Sequence, residues 1–151
     1  MEVQWGIQYI MLFLPLTPYI CGSCGLAVNS LMLFFNVGFT RSKQIATLDS
    51  DLMSAPGQFL ILLWGAAYYA AGMDGMDGKI GHIWLVFAAE KAFYVYKWGV
   101  WNSSHNAFKA IKGALASSDK LAVLAPLFHA TYGSADLVLG LMFLQLWRSG
   151  Q

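Results

Sequence analysis

The chain has 151 residues, a formal net charge of +1, 58% hydrophobic side chains, only 11% charged ones and a mean hydropathy of +0.53. A soluble domain carries about a quarter charged residues, so this composition supplies more apolar surface than one small core can bury and argues for a single lipid-facing domain over residues 1–151. The nine Lys and Arg are scattered singly, which excludes a basic stripe tracking nucleic acid, and two cysteines cannot build the disulfide framework of a small secreted domain.

A helix crossing the ~30 Å hydrocarbon layer needs about 20 apolar residues, and four segments meet that need. No charge interrupts residues 3–40, but Pro15 and Pro18 break the run. The first span is therefore expected at 19–38. The stretch "MEVQWGIQYIMLFLPL" before it reads as an interfacial segment with Trp5 and Tyr9 at headgroup level. It lacks the basic n-region and cleavage site of a secretory signal and is expected to stay in place.

After the polar link "TRSKQIATLDSDLMSA", Pro56 suits a first helical turn, and 57–73 forms a short second span. "DGMDGK" is turn chemistry and lacks the ligand spacing of a calcium loop. The third span runs over 80–101 and closes on Trp98 and Trp101, a pattern of membrane interfaces. "NSSHNAFKAIKGALASSDK" allows a short surface helix, and 121–147 is the fourth span. Continuous apolar runs without two-residue alternation argue against a barrel. The expected fold class is all-α: a four-transmembrane-helix bundle with an interfacial N-terminal segment.

Orientation follows from Lys and Arg in the short links. Arg41, Lys43, Lys109, Lys112 and Lys120 fall on one side, Lys79 and Arg148 on the other, so both ends of the sequence are expected to face away from the cytoplasm.

Glu90 and Lys91 stand near the middle of the third span, where a lone charge costs ~3 kcal/mol on insertion scales. Lys97 is close enough to the end for its stem to reach the interface. Adjacent residues diverge by about 100° on a helix, so Glu90 and Lys91 are not expected to neutralise each other. Asp136 in the fourth span is the expected partner of Lys91. Glu90 is left to be protonated or to meet His129, Tyr94 or Tyr132. This cluster reads either as a buried ionic clasp or as part of a proton or ion path.

The segments "LLWGAAYYAAGMD", "EKAFYVY" and "SADLVLGLMF" resemble, over about residues 29–147, a group of small bacterial four-span membrane proteins with no assigned activity. The resemblance implies the four-span architecture and the pairing of Lys91 with Asp136. The chain departs from it in its longer N-terminal segment and in Glu90, where the group has a small residue.

"CGSC" places Cys21 and Cys24 at a helix start, where a thiol pKa can be lowered. Thiol oxidoreductases of the vitamin K epoxide reductase and periplasmic disulfide-forming types use such a pair, but with a second pair that this sequence lacks. Beside Gly22, Ser23 and Gly25, both cysteines read as small packing residues. Gly133 and Gly140, with Ala130 and Ser134, offer a smooth face for helix packing or self-association. Phosphate-loop, nucleophile-elbow and zinc-protease patterns are missing, and no cofactor or metal is expected. The expectation is a non-enzymatic, multi-pass component of a bacterial inner membrane, whose partners are the lipid bilayer and another copy or a larger membrane complex. The alternatives are a proton-coupled transporter or channel and a thiol-disulfide oxidoreductase.

Overall fold

The structure, a computed structural model, describes residues 16–50, 52–75 and 81–150. The expected interfacial segment with Trp5 and Tyr9 lies outside the described residues, as does most of the "DGMDGK" turn. The described chain is all-helical: α1 (Pro18–Phe35), α2 (Ser42–Ala46), α3 (Ala55–Asp74), α4 (Gly81–Ser104), α5 (Ala107–Leu115), a 3-10 turn (Lys120–Val123) and α6 (Leu124–Ser149).

Local chemistry sets the helix ends. The Ile20 N–H donates to Thr17 Oγ1 at 3.3 Å, and Pro18 sits in the first turn of α1, where its missing N–H leaves no bond unmade. Ser54 and Pro56 repeat the device at α3, with the Gly57 N–H donating to Ser54 Oγ at 3.3 Å. Asn106 caps α5, the surface helix expected in that link. Gly150, with φ +77°, ends α6 in the left-handed conformation that favours glycine.

α1 stops three residues before the expected 38 because the backbone turns left-handed at Val37, Gly38 and Phe39 (φ +51°, +60° and +70°). Only glycine adopts that region freely, so the turn has to be held from outside. Asn36 holds it: its Oδ1 accepts from the Phe39 N–H at 2.9 Å, and its Nδ2 donates to Gln58 Oε1 at 3.1 Å. Gln58 in turn donates to the carbonyls of Ser42 and Met53 at 2.9 and 2.8 Å. Asn36 and Gln58 are both fully buried. This knot draws the polar link back across the end of the bundle, where α2 buries Ile45 beside Met53, Phe128 and Tyr132. A stretch that reads as a plain connector is thus folded. Arg41 reaches from the same link to Asp119 and holds its carboxyl below the usual range, with help from the Leu121 N–H.

The closest helix contacts are α1 with α3 and α4 with α6, and both pairs are antiparallel. In the first pair, Gly22 and Gly72 bring the two backbones together, and a Cβ on Gly72 would lie 2.7 Å from the Pro18 carbonyl oxygen. In the second, Gly133 lies against the Trp98 indole and Gly140 against Lys91. The glycines read from sequence as open to self-association are therefore used inside the chain.

Among the described residues, two helical stretches are long and apolar enough to cross a bilayer, Pro18–Phe35 and Lys120–Ser149, with mean hydropathies of 1.4 and 1.3. α3 and α4 have 20 and 24 residues, so length does not hold them back. α4 carries Glu90, Lys91 and Lys97, and α3 includes Pro56, Gln58, Trp64, Tyr68 and Tyr69, which lower its hydropathy.

Trp98 is half-buried and Trp101 buried, and both aim their indole N–H groups into the bundle. Their indole N–H groups donate to the carbonyls of His129 (3.1 Å) and Leu48 (3.0 Å). A buried indole needs such an acceptor, and these two bonds fasten the end of α4 to α6 and to the folded link.

Candidate functional site

Halfway along the bundle, each of the four long helices contributes polar side chains to one buried cluster. Lys91 of α4 is only 3% exposed and lies 2.6 Å from Asp136 Oδ1 of α6. Its Nζ also donates to Asn29 Oδ1 of α1 at 3.3 Å, and Asn29 Nδ2 donates to the Ile61 carbonyl of α3 at 2.8 Å. The rings of Tyr68 and Tyr94 lie 5.1 and 5.5 Å from the ammonium, within cation–π range. Glu90 accepts from the Tyr68 hydroxyl of α3 at 2.5 Å.

The Lys91 ammonium also comes to 3.8 Å from Glu90 Oε2, which corrects the expectation that these neighbours stay apart. The 100° divergence holds for the Cα–Cβ directions, but four methylenes let the ammonium swing back toward the neighbouring carboxylate. His129 does not join the cluster. Its Nε2 is 3.0 Å from the Ile45 carbonyl, and its ring stacks on Trp101 at 4.9 Å between centroids. Seven residues return a helix to nearly the same face but also move about 10 Å along it, which takes His129 to the end of the bundle. Tyr68 takes the place beside Glu90 for which His129, Tyr94 and Tyr132 were the candidates. The available signal was a tyrosine far from either end of an apolar helix, where its hydroxyl needs a partner.

Largely apolar side chains flank the cluster along the bundle axis. Toward the N-terminal end of α1 lie Tyr68, Trp84, Phe87 and Phe143, with Cys21 fully buried among them. Toward the other end lie Met32, Met53, Phe128 and Tyr132. Laterally the cluster borders a cavity of about 480 Å³ lined by α1, α3, α4 and α6, whose rim includes the outward-facing Leu31, Thr131, Ser134 and Val138.

Cys21 and Cys24 are free thiols one turn apart on α1, the first buried and the second half-buried. Cys21 touches the aromatic layer, a setting that suits a small packing residue better than a nucleophile. Cys24→Ala is expected to change stability by less than about 0.5 kcal/mol and Cys21→Ala by about 1 kcal/mol. Thermal unfolding in detergent checks both. Rapid alkylation of Cys21 in the folded protein would count against the packing role.

Among the described residues, no group of three or more His, Cys, Asp and Glu is arranged to hold a metal ion. The chain matches no protein-family model, and neither curated proteins nor solved structures give a significant match to it.

Proposed function

We propose that the chain is a multi-pass integral membrane protein in which α1, α3, α4 and α6 all cross the bilayer, and that its role is non-enzymatic, as a membrane component assembling with itself or with a larger complex. The observation that carries this reading is the layout of the four long helices. Each gives polar groups to one central cluster, while outward they present Leu31, Phe34, Phe59, Leu63, Val86, Phe93 and Val138, all about half exposed or more. That inside-out polarity suits hydrocarbon and would be a poor surface in water.

Within it, Lys91 with Asp136 acts as a clasp, and Asn29, Tyr68 and Glu90 complete its hydrogen bonding. The aromatic layer of Trp84, Phe87 and Phe143 on one side of the cluster favours a clasp over a proton path, which needs polar groups continuing to both faces.

The reading fixes a topology. The links at 36–54 and 105–123 share one side, which their excess of Lys and Arg makes the cytoplasmic one, and both ends of the sequence lie on the other. Cysteine-accessibility or tag mapping in a Cys-free background, with probes at each end and beside Lys109, is expected to label the ends from outside and Lys109 from inside. Labelling of the two ends from opposite sides would refute four crossings.

A further inference from the structure

We infer that α5 is an interfacial anchor for an anionic lipid leaflet, with Phe108 and Leu115 set among acyl chains and Lys109 and Lys112 against lipid phosphates; this rests on the four-span reading. α5 lies in the link between α4 and α6 and packs against α6 and the 3-10 turn. The face it buries there is made mostly of small side chains. Ala107, Ala110, Ile111 and Ala114 are its half-buried positions, and they fall within an arc of about 100° around the helix.

The larger apolar side chains are left out of that contact. Phe108 is 78% exposed, more than any other large apolar side chain among the described residues, and Leu115 is 59% exposed. Seven residues apart, the two share one flank of the helix. A helix that buries alanine and exposes phenylalanine is sorted for an apolar medium beside it rather than for water.

Charge says which medium. Lys109 and Lys112 are exposed and lie within about 100° of Phe108 around the helix. α5 holds no acidic residue, and the one acid of the 105–123 link, Asp119, is taken by Arg41. Among the described residues neither lysine forms an ion pair, and Lys43 and Lys120 add exposed positive charge in the two links. An apolar flank beside an unneutralised basic strip is the pattern of a helix lying in a membrane interface. Four crossings put the bilayer surface at this end of the bundle, so α5 meets headgroups where it stands. A zwitterionic headgroup brings its own ammonium, which competes with the lysines for each phosphate. An acidic soluble protein would first have to displace lipid from Phe108 and Leu115.

The test uses the full chain carrying Cys21→Ala and Cys24→Ala, in nanodiscs of phosphatidylcholine alone or mixed with phosphatidylglycerol. A nitroxide is attached through Leu115→Cys, Gly113→Cys or Phe93→Cys, and its collisions with oxygen report lipid while those with a water-soluble nickel chelate report water. Gly113 is exposed, with nothing within 4 Å of its Cβ position, and serves as the water-facing reference on the other flank of α5. In the mixed lipid the oxygen-to-nickel ratio is expected to be several-fold higher at Leu115 than at Gly113. Each lysine near an anionic surface contributes about 5-fold to docking, so Lys109→Gln with Lys112→Gln should lower the docked-to-undocked ratio of α5 about 10- to 30-fold and return Leu115 to its value in phosphatidylcholine alone. Leu115 as open to nickel as Gly113, a Leu115 signal indifferent to phosphatidylglycerol, or one that survives the double lysine replacement would each overturn the anchor. Phe93 faces outward halfway along α4, and a label there that meets nickel rather than oxygen would instead overturn the four crossings.

Discussion

Replacing Lys91 with Met is expected to destabilise the protein by about 3–5 kcal/mol, toward the upper end of that range, because two carboxylates are then left buried with no cation between them. Asp136→Leu is expected to cost less, toward the lower end, since the stranded ammonium keeps Glu90 at 3.8 Å and Asn29 Oδ1 at 3.3 Å. The double replacement leaves Glu90 with the Tyr68 hydroxyl, a pair that a single proton can neutralise. It should lose less than either single change costs, giving a coupling of several kcal/mol where neighbouring residues more often show ~0.5–3. Reversible unfolding of the four proteins in mixed micelles measures the cycle. Losses that simply add would show that Lys91 and Asp136 do not act as partners, and Glu90 would then take over as the counter-ion of Lys91.

The second large effect is expected at Gly22. A Cβ there would fall on the Tyr68 carbonyl oxygen and within 3.0 Å of the Gly72 Cα, and backbone atoms of a packed helix cannot swing aside as a side-chain tip can. Gly22→Ala therefore has to push α1 and α3 apart. The displacement also strains the Tyr68 bond to Glu90 and the aromatic layer around Cys21. A cost of about 1–3 kcal/mol is expected for overpacking of this kind, and Gly22→Leu should abolish folding. Gly99 gives the contrast. It lies inside α4 with nothing within 4 Å of its Cβ position, so Gly99→Ala should gain up to about 1 kcal/mol from helix propensity. Thermal unfolding of the two alanine variants should thus show opposite signs. Equal behaviour would mean that α1 and α3 are not held backbone to backbone.

Much of this architecture is written in the sequence, and the reasons differ by feature. The long helices follow from apolar runs punctuated by Pro and Gly, and their ends sit within a few residues of the expected 19–38, 57–73, 80–101 and 121–147. Lys91 and Asp136 could be paired by elimination, because few charges lie deep in apolar helices and each is costly alone. What sequence spacing could not supply was reach. It separated Glu90 from Lys91 by angle, although the lysine stem bends back, and joined His129 to Asp136 by face, although the distance along the axis is too great. The folding of the 36–54 link was hidden for another reason: it depends on two amide side chains, Asn36 and Gln58, that lie 22 residues apart and meet only once the bundle has formed.

The pairing of helices into two glycine-packed couples bears on how such a chain would enter a membrane. If α1 and α3 cross the bilayer as proposed, they carry only uncharged polar groups halfway along, Asn29 and Tyr68, and this couple could be released into lipid as soon as it is synthesised. α4 brings Glu90 and Lys91 and finds its nearest counter-charge only when α6 arrives with Asp136. Until then α4 is better held at the insertion machinery or at the bilayer surface than exposed to hydrocarbon. On the proposed four-span reading the second couple would integrate as one late unit, and translation would have to run past Asp136 before the α4 crossing became permanent.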